Sequence, residues 1–167
     1  MIETFLVQEG NNLIIIGVCL LLSAFFSSSE TAITSLGTLK VKHLLEQQGE
    51  KAKYLKHWLT HPGRIITTIL VFNNVVNLLA SAVATQITNQ YVENGAIGIA
   101  TGIITFLVLI FGEIIPKSFA KAHSERISFL SMRVVVFVYY ASYPLIVVLS
   151  NFASFTINVL SKGSKKL

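Results

Sequence analysis

The sequence from Leu13 to Leu36 reads LIIIGVCLLLSAFFSSSETAITSL, and this stretch decides the class of the fold. At 1.5 Å per residue it is long enough to cross a hydrocarbon core of about 30 Å as one helix. Its second half carries the polar cluster Ser27-Ser28-Ser29-Glu30. Such side chains normally face a partner, a cavity or an ion, because leaving them in hydrocarbon is costly. The stretch therefore predicts a transmembrane helix with a functional polar face.

The whole chain has the composition of a membrane protein. Of its 167 residues, 53% are hydrophobic and only 13% are charged, and the mean hydropathy is +0.67. These values exclude an ordinary soluble domain and predict an all-α integral membrane fold in a single domain, residues 1–167. The single cysteine, Cys19, excludes a disulfide framework and a zinc site. Basic residues flank the apolar stretches without a recognition motif, so we expect membrane lipids and no nucleic acid as partners.

Apolar stretches separated by polar segments predict three transmembrane helices. The predicted segments are a first span at about 11–38, a cytoplasmic juxtamembrane segment at 39–62, a second span at about 64–89, a third at about 95–117, and juxtamembrane helices at about 124–161. The segment at 39–62 is expected to break near Gly49. Pro116 is expected to end the third span, because proline removes a backbone donor.

The last apolar stretch, Ile127 to Leu160, has two interpretations. As one helix it would be about 51 Å long, which exceeds one hydrocarbon core. A kink near Pro144 would turn it into a re-entrant or interfacial helix pair, for which Arg133 and the neighbouring tyrosines are suited. The alternative is a fourth crossing, which conflicts with the three lysines that follow Leu160.

The distribution of Lys and Arg predicts the orientation. Six lie in the segment 40–64 and three in 117–126, whereas none lies in 1–39 or 65–116. The positive-inside rule then places the N-terminus outside and the C-terminus in the cytoplasm of a multi-pass inner (plasma) membrane protein. The first residues carry acidic side chains and no Lys or Arg, the wrong charge for a cleavable signal peptide, so the first span is expected to be retained.

Helical spacing brings the polar residues of the spans to defined faces. Ser23 and Ser27 are four residues apart, and so are Asn73 and Asn77, which places each pair on one side of its helix. A third cluster contains Glu113. Along the predicted helices, Ser27, Asn73 and Glu113 lie between about 4 and 12 Å from the cytoplasmic boundary. Three spans thus bring oxygen atoms to overlapping depths.

Hydroxyls, amide oxygens and a carboxylate are the ligands of a small hard cation such as Mg²⁺, and the histidines lie outside the spans. We therefore predict a metal site formed by Ser23, Ser27, Asn73, Asn77, Gly112 and Glu113. Gly112 would contribute its backbone carbonyl through local unwinding. A single carboxylate against a divalent ion leaves a net positive site, which favours reversible binding.

Structural roles remain open for the polar residues around this site. The hydroxyls of Ser28 and Ser29 can bond back to their own helix, and Asn74 can form a hydrogen bond between helices. Glu30 can pair with a cytoplasmic lysine. Glu113 can likewise pair with Lys117, four residues further along the chain.

At these residues the chain resembles a known family. The segments LSAFFSSSETA (22–32), NNVVN (73–77) and FGEIIPK (111–117) resemble, in this order, the transmembrane domain of the CorB/CorC magnesium transporters and their animal relatives, the cyclin M proteins. The match extends over nearly the whole chain. It implies a homodimer with three transmembrane helices per protomer, a juxtamembrane helical belt and a dehydrated Mg²⁺ in each protomer. It also implies Mg²⁺ export coupled to Na⁺ entry.

The chain departs from the family pattern after its juxtamembrane region. Family members usually continue into a pair of cystathionine-β-synthase modules that bind ATP, so we expect a truncated protein whose ATP site belongs to the missing part; the alternative is a naturally short protein. Neither a Gly-rich phosphate loop nor a nucleophile–base pair occurs in the spans, so no enzyme is expected. Two functions stay open, namely a Mg²⁺ transporter that works by alternating access and a membrane-embedded Mg²⁺ sensor or scaffold that does not transport.

Overall fold

The structure, a computed structural model, describes residues 2–91 and 97–164, and every regular element within them is helical. The elements are α1 (Ile2–Gln48), a 3-10 turn (Gly49–Ala52), α2 (Leu55–Thr60), α3 (Pro62–Tyr91), α4 (Ile97–Val108), a π-helical turn (Leu109–Ile114), α5 (Ile115–Ala122), α6 (Ser124–Ala141) and α7 (Tyr143–Ser164). The predicted all-α membrane fold is confirmed. Most of the linker between the second and third spans, and the lysines at 165 and 166, lie outside the described residues.

Three helices in the described part of the chain are long and apolar enough to cross a membrane, and they correspond to the three predicted spans. They cover Ile14–Gln48, Pro62–Asn89 and Thr101–Ala122. The helices α6 and α7 meet at an angle of 91°, and Pro144 is the second residue of α7. The kink predicted near Pro144 is therefore confirmed, while the re-entrant or interfacial placement of this pair stays a prediction.

A glycine divides the long first helix into two parts. Gly37 has φ 67° and ψ 163°, a backbone conformation that is essentially restricted to glycine. This break coincides with the predicted end of the first span and separates it from the juxtamembrane part of α1. A second glycine with positive φ, Gly49, follows the last residue of α1, where helices commonly end on glycine. The break predicted near this residue is confirmed.

The prediction that Pro116 ends the third span is wrong. The chain remains helical through Pro116 to Ala122, because the turn immediately before it widens from the α to the π type. Within this turn the N–H of Ile115 donates to the carbonyl of Ile110, five residues back. Pro116 then falls in the first turn of α5, a position at which proline is well tolerated. The helix passes the proline by changing its hydrogen-bond spacing.

The helices pack around α1, which contacts α3, α5 and α6. Phe26 of α1 stacks on Phe72 of α3 with ring centroids 5.8 Å apart. In the juxtamembrane region Leu55 and Trp58 of α2 are buried. Large apolar side chains such as Leu21, which is 73% exposed, cover the outside of the spans. This is the arrangement expected where the surroundings are lipid.

Replacing Gly37 by alanine tests the break in α1. A Cβ at this position meets no atom within 4 Å, so the effect comes from the backbone conformation alone. We expect Gly37→Ala to lower the free energy of unfolding by about 1–3 kcal/mol, the usual range for a residue forced into this conformation. The measurement is the melting temperature of the purified protein in mild detergent.

The matched control is Gly17→Ala, in the membrane part of the same helix. Its Cβ also meets open space, and its backbone is helical. Alanine there should be neutral or should stabilise by up to about 1 kcal/mol. Equal effects at the two positions would show that α1 is not broken at Gly37.

Candidate ion-binding site

The six predicted site residues form three hydrogen-bonded pairs between three different helical segments. Ser23 and Ser27 lie on α1, Asn73 and Asn77 lie on α3, and Gly112 and Glu113 lie in the π-helical turn. The side chains of Ser23 and Ser27 are completely buried, and Asn73 is only 6% exposed. The helical spacing read from the sequence thus brings all six residues to the contact between the spans.

The first pair joins α1 to α3. The Ser27 hydroxyl donates to the amide oxygen Oδ1 of Asn73 at 3.3 Å. Asn74, the next residue, is exposed, as expected from its different face on the helix. Because consecutive residues of a helix point about 100° apart, Asn73 faces the first span and Asn74 does not.

The second pair joins α3 to the π-helical turn. The amide Nδ2 of Asn77 donates to Glu113 Oε1 at 2.6 Å. The other amide atom, Asn77 Oδ1, is buried and accepts no hydrogen bond from the described residues. An unmatched buried acceptor costs about 1–3 kcal/mol, so a ligand that supplies positive charge or a donor at this point would be favourable.

The third pair brings the backbone of the turn against α1. The Ser23 hydroxyl donates to the carbonyl of Gly112 at 3.3 Å. In a regular α-helix this carbonyl would accept from the N–H of residue 116, which is a proline and has none. A Cβ on residue 112 would lie 2.9 Å from Ser23 Oγ, so the close approach requires glycine. Gly112 and Pro116 together therefore expose a backbone oxygen to the first span.

The three pairs and the chain steps between them form a closed circuit, which we call the polar ring. Three of its steps are the hydrogen bonds Ser27–Asn73, Asn77–Glu113 and Ser23–Gly112. The other three steps follow the chain, from Asn73 to Asn77 along α3, from Glu113 to its neighbour Gly112, and from Ser23 to Ser27 along α1. Residues four apart are separated by about 6 Å along the helix axis, so α1 and α3 each contribute two oxygen-bearing side chains within reach of each other. The ring contains hydroxyl, amide, carbonyl and carboxylate oxygens from three segments.

Two further contacts lie beside the ring on its predicted cytoplasmic side. The Ser28 hydroxyl donates to the carbonyl of Pro116 at 3.3 Å, and Lys117 Nζ lies 3.5 Å from Glu30 Oε2. Glu30 therefore forms an ion pair with a lysine, one of the roles that the sequence left open for it, and the lysine is Lys117. The alternative pairing of Lys117 with Glu113 is not formed, which leaves the Glu113 carboxylate to Asn77. No feature of the sequence pointed to the Pro116 carbonyl as an acceptor.

Other polar residues of the spans bond within their own helices. Ser29 donates to the carbonyl of Phe25 at 2.6 Å, and Thr68 donates to that of Arg64 at 2.8 Å. Both hydroxyls therefore have structural roles. Among the described residues no three His, Cys, Asp or Glu side chains come together, so a cation in the polar ring would be held mainly by neutral oxygens.

These features define a class of protein. The helices long enough to span a membrane, with a largely buried ring of polar groups between them, are those of an integral membrane domain. The chain belongs to the cyclin M family, because residues 14–166 match the model of the cyclin M transmembrane N-terminal domain.

Similar proteins occur in bacteria and plants. A UPF0053 protein of Haemophilus influenzae is 41% identical over 133 residues, which is 80% of this chain and 32% of that protein. The UPF0053 inner membrane protein YfjD of Escherichia coli is 37% identical over 110 residues, covering 66% of this chain and 26% of its own. A chloroplastic DUF21 domain-containing protein of Arabidopsis thaliana is 34% identical over 131 residues, covering 78% of this chain and 20% of its own. The chain therefore spans about a third or less of the length of these relatives.

The contact between Gly112 and Ser23 gives a direct test of the ring. Gly112→Ala places a methyl group 2.9 Å from Ser23 Oγ and 3.3 Å from Ser23 Cβ. We expect a loss of about 1–3 kcal/mol in the free energy of unfolding, because α1 and the π-helical turn must move apart. The melting temperature in detergent measures this loss.

Gly102→Ala in α4 is the matched control, since a Cβ at that position meets no atom within 4 Å. Adding Ser23→Ala to Gly112→Ala should restore part of the lost stability, because it removes the closer of the two clashing atoms. If Gly112→Ala is as stable as Gly102→Ala, the two segments do not approach each other as described.

Proposed function

We propose that this protein binds Mg²⁺ in the polar ring and carries it across the membrane. The observation that carries the proposal is the ring itself, in which three spans meet through oxygen-bearing groups and one buried amide oxygen, Asn77 Oδ1, has no partner among the described residues. The family of the chain supports a transporter-like role. By resemblance to the CorB/CorC proteins, the proposed direction is export and the coupling ion is Na⁺.

The ligand chemistry of the ring supports Mg²⁺ over softer metals. Mg²⁺ prefers six oxygen ligands at about 2.0–2.1 Å in octahedral geometry, so neighbouring ligand oxygens are about 2.9 Å apart. Ser27 Oγ and Asn73 Oδ1 are 3.3 Å apart, as are Ser23 Oγ and the Gly112 carbonyl oxygen. Both pairs are close to such an edge. With Asn77 Oδ1 and the Glu113 carboxylate, the ring supplies six oxygen-bearing groups.

The charge of the ring favours reversible binding. Glu113 is its one carboxylate, so a bound divalent ion keeps a net positive charge that a transport cycle can exploit for release. Glu30, the nearest other acidic group on α1, is engaged with Lys117. A second carboxylate on the ion would instead favour permanent retention.

Assembly as a homodimer is part of the proposal. Three spans per protomer enclose little volume for a gated pathway, and their outer faces remain available for contact. Among the small residues of α3, Ala80 and Ala84 are buried within the protomer. The outward surface of α3 instead offers Ala82 with Leu78 and Leu79, so we place the dimer contact on this face together with α4.

The orientation and location follow from the charge distribution. We propose the plasma (inner) membrane, with the N-terminus outside and the juxtamembrane helices in the cytoplasm. In support, Lys40 of α1 forms an ion pair with Glu125 of α6 at 3.4 Å, which joins two segments assigned to the same side. Any ATP-dependent regulation would belong to parts of a longer protein, as in the resemblance described above.

A second candidate function is favoured by one specific observation. All six ring residues come from a single protomer, so Mg²⁺ could bind without any pathway through the dimer. The protein would then be a membrane-embedded Mg²⁺ sensor or scaffold. Binding and flux experiments separate the two candidates.

The binding test compares four variants by their Mg²⁺-dependent thermal stabilisation. We expect affinity to fall most in Glu113→Gln, which removes a unit charge at constant shape, then in Asn73→Ala and Ser27→Ala. Asn74→Ala, the matched control on an exposed face, should change least. A variant that binds about tenfold more weakly loses about 1.4 kcal/mol of stabilisation at high Mg²⁺ concentration. Full stabilisation of Glu113→Gln and Asn73→Ala by Mg²⁺ would show that the ring is not the ion site.

The transport test measures Mg²⁺ flux in proteoliposomes with and without an opposing Na⁺ gradient. We expect flux from the parent protein and from Asn74→Ala, faster with the gradient, and little flux from Glu113→Gln. Mg²⁺-dependent stabilisation without flux in any of the three would support the sensor and contradict the transporter.

A further inference from the structure

A second polar site lies at one end of the second span, where the start of α3 meets the bent pair of α6 and α7. It is a cavity of about 530 Å³. One wall carries nitrogen donors from α2 and the first turn of α3: Lys56, His57, His61 and Arg64. None of these residues belongs to the polar ring. The cavity is therefore a separate site with its own chemistry.

The opposite wall consists of phenol rings from the α6–α7 bend. Tyr139, Tyr140 and Tyr143 line it. The hydroxyl of Tyr140 lies 3.2 Å from His57 Nε2, and their two rings meet edge to face at 5.8 Å. This contact connects α2 to α6 and holds the two walls at a fixed separation. The cavity is thus built by tertiary packing, and both its walls present hydrogen-bond donors.

The cavity has positive charge without a matching carboxylate. No Asp or Glu lines it. Within residues 2–91 and 97–164, the ion pairs engage Lys40, Lys53 and Lys117, and neither Lys56 nor Arg64 takes part in one. The two cations Lys56 and Arg64 face the same open cavity, and an anion between them would offset their mutual repulsion.

The donor set indicates which anion. A guanidinium forms paired hydrogen bonds to oxyanions, an ammonium adds a point charge, and the phenol hydroxyls donate to further oxygens. A phosphate group offers several oxygens to such a set. The volume of about 530 Å³ leaves room for a phosphate group together with the molecule that carries it.

The surroundings of the cavity point to the membrane as the source of this group. Arg64 belongs to the first turn of the second span, at the level where lipid headgroups lie. Beyond the bend, α7 presents exposed apolar side chains, among them Leu145, Val148 and Phe152. Tyrosine rings are typical of this interface. A phospholipid could place its phosphate in the cavity and its chains along α7.

We propose that the cavity formed by Lys56, His57, Arg64 and the tyrosines of the α6–α7 bend binds the phosphate group of an anionic phospholipid. The bound lipid would attach the bent helix pair to the cytoplasmic end of the second span. Soluble phosphate compounds share the same chemistry, and the experiment separates them from lipid.

The experiment measures binding to the purified 167-residue chain by native mass spectrometry in mild detergent. One arm titrates phosphatidylglycerol, a second titrates phosphatidylcholine, and a third adds inorganic phosphate or glycerol phosphate as competitor. The cavity variant is Lys56→Gln with Arg64→Gln. The matched control is Lys42→Gln with Lys121→Gln, which removes the same charge from exposed positions outside the cavity.

We expect the cavity variant to bind phosphatidylglycerol at least about tenfold more weakly, and the control less than about twofold, since charge-assisted hydrogen bonds are lost only in the first. Weak binding of phosphatidylcholine and no competition by soluble phosphates identify the source as anionic lipid. Full competition by glycerol phosphate supports the phosphate site and identifies a soluble ligand. Equal losses in the cavity and control variants, or no saturable binding in any arm, overturn the proposal.

Circular dichroism and the melting temperature without lipid verify that the variants are folded. If the double variant does not fold, Lys56→Gln alone serves as the test, because its side chain is exposed and its removal leaves the packing intact. It should weaken phosphatidylglycerol binding by about threefold, compared with no change for Lys42→Gln alone. Unchanged binding in Lys56→Gln would then overturn the proposal.

Discussion

The structure depends on one constraint, which is that polar groups inside a membrane must find their partners within the protein. Three spans of this chain carry such groups at similar depth, and the groups satisfy each other across the helix contacts. Ser27 donates to Asn73, Asn77 donates to Glu113, and Ser23 donates to the Gly112 backbone. The same bonds therefore orient the helices and assemble a candidate site. The proposed function would therefore use the same atoms that stabilise the helix contacts.

The polar ring is not fully satisfied, and this is its most informative property. Asn77 has two amide atoms, and only the nitrogen finds a partner among the described residues. A domain selected for rigidity alone would be expected to pair both. An unpaired amide oxygen next to a carboxylate is compatible with the cation site proposed above. A bound cation would give Asn77 Oδ1 the partner that it lacks among the described residues.

Much of this arrangement was predictable from the sequence, because the physics involved is local. Hydropathy and length predicted the three spans, and Pro144 predicted the bend. The four-residue spacing of Ser23 with Ser27, and of Asn73 with Asn77, predicted that each pair lies on one face of its helix. The partner of each group was not predictable, since it depends on how helices rotate and approach. Lys117 illustrates the point: local spacing favoured Glu113, whereas packing gave it Glu30. Pro116 did not end the helix because the turn before it changes from the α to the π type. The cavity beside Arg64 was not predictable either, since it combines segments far apart in the chain.

The π-helical turn has a consequence for how this protein can change during evolution. Such a turn holds one more residue than the α-helical path over the same distance, and each residue of an α-helix advances the side-chain direction by about 100°. Glu113, inside this turn, faces the second span, and Lys117, just after it, faces the first. A deletion of one residue there would restore a regular helix over the same distance, so α5 would keep its place while the side chains inside the turn, including Glu113, would change direction. Composition and hydropathy would hardly change. In this part of the chain, sequence length is as strongly constrained as residue identity.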